Sequence, residues 1–291
     1  MSLSLLNTVA MVSCSAAATT AIDLEVLLRE MIDLRRLAEW PAPAYRTEQF
    51  SSYDRSSAEP GGPGWFANSD GFGGEKIPNF VAVLEPPADE QSPGRYLICD
   101  VPGPGVLLRT WTAGMAGTLR VELDDQSEQL YEGPAADFLA NPYACLAERA
   151  GLEPAVLADT FVQAQSAYCP IPFAQRLRIT WTGRVRDVHF YHVNVRRYTA
   201  PATVRTFTVD ALRAAAPTLR AVAGVLADPD GRYAYASTRA PEEIAVELAP
   251  GAAADVLKLA GPVALERLTL RLTAANRDFA LRQTLLHVIC D

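Results

Sequence analysis

Asp187-Val188-His189-Phe190-Tyr191-His192-Val193-Asn194-Val195-Arg196-Arg197-Tyr198 is the most strand-like run in the chain, and the fold is decided by how it is read. At a period of two, Val188, Phe190 and His192 share one face while His189, Tyr191, Val193 and Val195 share the other. Both faces carry bulk, which predicts a strand with neighbours on either side. His189 and His192 fall on opposite faces and cannot build a joint metal site within one strand. Each is read as a packed or hydrogen-bonded histidine.

Shorter runs of the same kind lie upstream. Asn79–Leu84, Arg95–Asp100, Val106–Thr112, Thr118–Leu123, Ala167–Pro172 and Arg176–Thr182 are rich in β-branched, Leu and aromatic residues, and Pro86-Pro87, Pro102-Gly103-Pro104-Gly105 and Gly114–Gly117 punctuate them. Regularly spaced short strands predict an antiparallel sandwich or jelly roll. Residues 133–158 are Ala-rich and are expected to form a long connection with short helical turns. Asp100, before the Pro-Gly turn, and Arg109 with Trp111 beyond it, are expected to put polar groups on one strand face, either as a solvated face with a snorkelling Arg or as a ligand contact.

Leu24, Leu27, Leu28, Met31, Leu34 and Leu37 recur at helical spacing after Asp23, a fair N-cap, and Trp40-Pro41 ends the run. Val209–Leu226 is expected to be a helix broken near Pro217. Beyond the turn signal Asp228-Pro229-Asp230-Gly231, a second set of strands is expected at Glu243–Leu248, Asp255–Leu259, Leu265–Thr273 and Leu281–Cys290. So few strands cannot close a sandwich, so the chain is expected to be the front part of something longer or to be completed by a partner.

The chain has 291 residues, 49% hydrophobic and 21% charged, with a formal net charge of −8. Lys and Arg are scattered and form no run longer than two, so the footprint of a nucleic-acid binder is missing. Cys14, Cys99, Cys145, Cys169 and Cys290 are an odd number without close pairing or zinc spacing, so neither a metal site nor a cofactor is implied. Cys99 and Cys290 sit in apolar runs and are read as core. Residues 1–22 carry no charged side chain and are read either as a leader, with Met11-Val12-Ser13-Cys14 resembling a bacterial lipoprotein box, or as a disordered tail. Localisation stays open between an exported lipoprotein and a cytoplasmic protein. No later run is long and apolar enough to span a bilayer as a helix.

The segment from Tyr45 to about Pro78 is rich in Gly and Pro and is expected to be a loop. It holds Gln49-Phe50-Ser51-Ser52-Tyr53-Asp54-Arg55 and Trp65-Phe66-Ala67-Asn68-Ser69-Asp70. Aromatic faces beside bidentate polar groups suit a sugar, whose ring has an apolar CH face and a rim of hydroxyls. Turn chemistry, with Ser and Asp side chains bonding to nearby backbone, accounts for the same residues without a ligand.

Taken together, Leu27-Leu28-Arg29-Glu30-Met31, Gln49 to Arg55, Trp65 to Asp70, Gly103-Pro104-Gly105 with Arg109-Thr110-Trp111, Cys169-Pro170-Ile171-Pro172 and Tyr191 to Tyr198 resemble, in order and spacing, glycoside hydrolase family 172. The resemblance runs from about Leu24 to Asp291, and Gly261-Pro262-Val263 with Leu285–Asp291 is similar to the opening of that family's second jelly roll. It implies two jelly rolls, assembly as trimers or hexamers with sites near subunit contacts, and retaining action on α-linked fructofuranosides or D-arabinofuranosides. It also implies sugar contact by Ser52, Tyr53, Asp54, Arg55, Trp65, Asn68 and Asp70. The family's catalytic pair is two glutamates, one of them in a Gly-Thr-Gly-Thr-Glu-Asp-Tyr-Phe-like motif, and nothing after Pro262 matches it.

The expectation is therefore a mainly β protein. Residues 1–22 form a leader or tail, 23–208 a jelly-roll sandwich with an N-terminal helix, and 209–291 a connecting helix and the opening strands of a second jelly roll. The chain is read as the front part of a furanoside-acting glycoside hydrolase, silent as it stands. The alternative is a non-catalytic carbohydrate-binding or structural jelly-roll subunit. An unrelated hydrolytic pair of Asp54 and Asp70 is a third reading.

Overall fold

The computed structural model describes residues 2–10, 21–57, 59–67, 80–124, 126, 128–153, 157, 161–163, 165–233, 242–261 and 263–289. They fall into two units, one comprising residues 17–32 and 41–232, the other the two ends of the chain with residues 33–40. Strands are numbered in chain order from β1 (Ser2–Ala10), which belongs to the second unit.

The larger unit is a β-sandwich. One layer orders β2 (Tyr45–Ser51), β12 (Tyr191–Tyr198), β5 (Gly105–Thr112), β9 (Ser166–Ala167) and β8 (Val162–Gln163), with β10 (Ile171–Phe173) also pairing β5. The other orders β3 (Ala82–Glu85), β4 (Gly94–Pro102), β11 (Arg176–Gly183), β6 (Thr118–Leu123) and β7 (Tyr131–Pro134). Each of these strand pairs is antiparallel. β4, β5 and β6 alternate between the layers, and so do β10, β11 and β12, which is the jelly-roll habit of consecutive strands crossing the core.

The core explains the alternation in sequence. Tyr191, Val193 and Val195 of β12 are buried while His192 and Asn194 between them are only half covered. From the facing layer come Ile98, Val121, Ile179 and Trp181. Phe80 stacks on Tyr96, Trp181 and Tyr191 at centroid distances of 4.6, 5.4 and 5.7 Å, joining the two layers. The Trp181 indole N–H donates to the Ala116 carbonyl at 2.8 Å, so the ring is buried without stranding its polar atom.

Asp23 caps the first helix as expected, its carboxylate accepting from the Val26 amide at 3.1 Å. That α-helix spans Leu24–Glu30 and stops earlier than the helical spacing up to Leu37 suggested. A separate 3-10 turn, Leu34–Ala38, follows and leaves Leu34 and Leu37 exposed. Residues 45–51, expected as loop, form β2 because their backbone pairs along β12 from Tyr45↔Tyr198 to Ser51↔His192. The helices Ala135–Ala140 and Pro142–Ala150 fill the expected long connection. The helix over 209–226 divides into Val209–Ala214 and Ala216–Ala227, with Pro217 in the first turn of the second, and both send buried residues into the sandwich core.

In the smaller unit β1 lies between β13 (Glu242–Glu247) and β14 (Ala264–Thr273). Ser2–Ala10, read from the sequence as leader or tail, thus has a strand conformation there. The strand expected at Asp255–Leu259 does not form. In the run Leu281–Cys290, its first residues belong to a helix, Arg277–Gln283, because the Asn276 side chain accepts from the Phe279 amide at 3.1 Å and starts a helical turn. No described helix is long and apolar enough to cross a membrane.

Candidate functional site

On the sandwich face turned away from the core, the six-stranded layer carries a row of polar side chains. The strand register sets Gln49 of β2 opposite Asn194 of β12, and Asn194 opposite Arg109 of β5. Asn194 Nδ2 donates to Gln49 Oε1 at 3.1 Å, and Arg109 Nη1 donates to Asn194 Oδ1 at 3.3 Å. Arg109 Nη2 donates to Ser166 Oγ of β9 at 2.8 Å, so the row crosses four strands.

Two aromatic groups flank it. Trp111, two residues along β5 from Arg109, lies beside His192, the ring centroids 4.8 Å apart. The Arg109 guanidinium carbon lies 5.8 Å from the centre of the half-exposed Tyr168 ring. Burial and then the Arg109 charge hold the His192 imidazole below its ordinary range, so at neutral pH it is an uncharged hydrogen-bonding group. Neutral amides, a hydroxyl, an imidazole and ring faces around one cation can take up a hydroxyl-rich ligand.

Beyond the end of β2 lies the segment with the sugar-contact residues expected from sequence. Ser52 is buried, its amide donating to the Tyr191 carbonyl at 3.3 Å and its hydroxyl accepting from the Tyr191 amide at 3.3 Å. It closes the β2–β12 ladder and is not presented to a ligand. Asp54 accepts from the amide of Ser56 at 3.0 Å and from its hydroxyl, an Asx turn, which is the turn chemistry weighed from sequence. Arg55 donates to the Ser51 carbonyl at 3.5 Å and lies over the Tyr53 ring, 4.7 Å from its centre. Its charge opposes the upward push that burial gives the Tyr191 phenol. Tyr53 and Trp65 remain 46% and 38% exposed, and the Trp65 carbonyl accepts from the Ser57 hydroxyl at 2.6 Å. Asn68 and Asp70 lie outside the described residues.

Asp100 does not join Arg109 and Trp111 on one face. The Pro102–Gly105 turn carries the chain from one layer to the other, so Asp100 faces outward from the five-stranded sheet. There Arg176 clamps it with Nε and Nη2 at 2.7 and 2.6 Å, and that bond holds its carboxyl below the usual range. Sequence reasoning singled out Arg109 and Trp111 but missed Gln49, Ser166, His192 and Asn194 as their companions. The available signal was the polar alternation of His192 and Asn194 between buried Tyr191, Val193 and Val195.

Among the described residues, two carboxylates on this side of the sandwich are committed. Glu30 meets Arg196 at 2.9 Å, and Glu48 meets Arg46 at 2.6 Å and Arg197 at 3.1 Å. Among the described residues no three His, Cys, Asp or Glu side chains lie close enough to hold a metal ion. Residues 43–215 match a family model described as GH172 first beta-sandwich domain. No curated protein matches the chain.

Proposed function

From the premise that this chain belongs to glycoside hydrolase family 172, we propose that its sandwich supplies the sugar-recognising wall of a retaining glycosidase acting on α-linked fructofuranosides or D-arabinofuranosides. The observation that carries the reading is the Gln49–Asn194–Arg109–Ser166 row with Trp111 and Tyr168 beside it. Hydroxyls of a furanose ring bond to the row, and its CH face rests on an indole or phenol. Tyr53, Arg55 and Trp65 extend the contact from the neighbouring segment, together with Asn68 and Asp70. Ser52 and Asp54 shape that segment.

A retaining glycosidase needs two carboxyls about 5 Å apart, one as nucleophile and one as acid and base. The ion pairs of Glu30 and Glu48 and the Asx turn of Asp54 favour a sandwich that binds sugar without holding that pair. The same commitments favour a second reading, a non-catalytic carbohydrate-binding subunit. In both readings the 291-residue chain is silent by itself. The enzyme reading adds assembly as a trimer or hexamer, which light scattering checks.

The test is calorimetric titration of the chain with methyl α-D-arabinofuranoside and methyl α-D-fructofuranoside, with a methyl pyranoside as control, alongside an assay on a chromogenic arabinofuranoside. Furanoside binding that weakens in Trp111→Ala, without hydrolysis, is expected. Equal binding of the pyranoside would sink the furanose assignment, and turnover by the chain alone would sink the absence of the pair.

A further inference from the structure

We infer that the outer face of the six-stranded sheet selects a sugar bearing a carboxylate, with Arg109 as the counter-ion. This deepens the furanoside reading and rests on it. A guanidinium has five N–H donors, and Arg109 spends one on Asn194 Oδ1 and one on Ser166 Oγ, both neutral. Among the described residues it has no carboxylate partner. Its neighbours differ: Arg196 is paired with Glu30 at 2.9 Å and Arg197 with Glu48 at 3.1 Å, while Arg176 across the sandwich is paired with Asp100 at 2.6 Å.

Of the other arginines, Arg55 also lacks a carboxylate but spends its charge over the Tyr53 ring and on the Ser51 carbonyl, whereas Arg109 is given one amide and one hydroxyl beside an open sheet face. A partly desolvated charge left without its counter-ion is costly, and a ligand that brings the counter-ion recovers that cost on binding. The three N–H donors that Arg109 has left suit the strong acceptor oxygens of a carboxylate. The rest of the row is neutral, whereas a phosphate gathers several cations or a helix N-terminus. Trp111 and Tyr168 then take the ring of the same sugar, and Gln49 its hydroxyls. On a chain of net charge −8 this is a local exception to the prevailing sign.

Three ligands on one ring decide the matter: methyl α-D-arabinofuranoside, its 5-carboxylate and its 5-phosphate, titrated calorimetrically into the intact chain. The carboxylate is expected to bind about tenfold tighter than the neutral parent. That preference should shrink as salt rises from about 20 to about 200 mM. Arg109→Gln should bring the two to parity while circular dichroism shows the variant folded. If Arg109→Gln does not fold, Arg109→Lys takes its place and should reduce the preference without abolishing it, since the charge stays and the fork is lost.

Equal affinity for the neutral parent and the carboxylate overturns the charge assignment and leaves the furanoside reading standing. So does a preference that survives undiminished in folded Arg109→Gln. Tighter binding of the phosphate overturns the choice of carboxylate. Failure of all three to bind overturns the furanoside reading, and this inference with it.

Discussion

Trp111 on β5 and His192 on β12 are cross-strand neighbours, their rings tilted 47° with centroids 4.8 Å apart. That packing half-buries an imidazole beside the Arg109 cation, and both effects disfavour its protonated form. The unfolded chain then takes up this proton more readily than the folded one. Stability is full above the unfolded histidine value of about 6.5 and is lost as pH falls from there through the lowered folded value. Urea unfolding at pH 7.5 and pH 5.5 should show that loss, and His192→Gln should flatten the difference. A pH dependence identical in the variant would remove His192 as its source.

Asp124 has a positive φ of 52°, and its carboxylate accepts from the amides of Gln175 and Arg176 at 2.7 and 2.9 Å and from the Thr206 hydroxyl. One side chain thus ties the turn before β11 to the segment after β12. Asp124→Ala is expected to cost about 1–3 kcal/mol in denaturant unfolding, because two backbone donors lose their acceptor. Asp124→Asn keeps an acceptor oxygen and the tolerance for positive φ, and should cost less.

Trp181 is fully buried against Phe80 and Tyr96. Trp181→Ala should cost about 3–5 kcal/mol by transfer and cavity terms together. Trp181→Phe should cost less, losing the bond to the Ala116 carbonyl and part of the stack. Chemical denaturation of both variants, followed by circular dichroism, gives the comparison.

Burial raises the thiols of Cys169 to about 12 and Cys145 to about 11, and that of Cys99 higher still. None of the three should react with a thiol reagent at pH 8 in the native protein, because the thiolate is the reactive form. All three should react after denaturation, and mass spectrometry of labelled peptides reads the pattern directly. Native labelling of Cys99 would contradict its place in the core.

The sandwich was legible because its signal is local. Thr118–Leu123 has the bounds expected of it, and Tyr191–Tyr198 lies between β2 and β5 as its two bulky faces implied. The site was less legible because its signal is not local. Gln49, Arg109, Ser166 and Asn194 meet only through the separate registers of four strands, with an irregularity between Asn194 and Val195 that no single run encodes. Asp100 and Arg109 look alike in sequence, and only the layer change at Pro102–Gly105 separates them. The family resemblance could be recognised ahead of the structure because it summed many weak local matches, whereas the side chains that touch one another had to be placed in space.

The row runs straight across paired positions from Gln49 through Asn194 to Arg109 and then diagonally to Ser166, which pairs with Trp111, so it acts as a checksum on the sheet. A slip of one residue between β2 and β12 would leave Asn194 facing Phe50 or Glu48, and a slip between β12 and β5 would take Arg109 from its acceptor. A sugar that needs the whole row therefore recognises one pairing of the strands and rejects its neighbours. Ligand binding here would double as a report that four strands distant in sequence have found the same alignment.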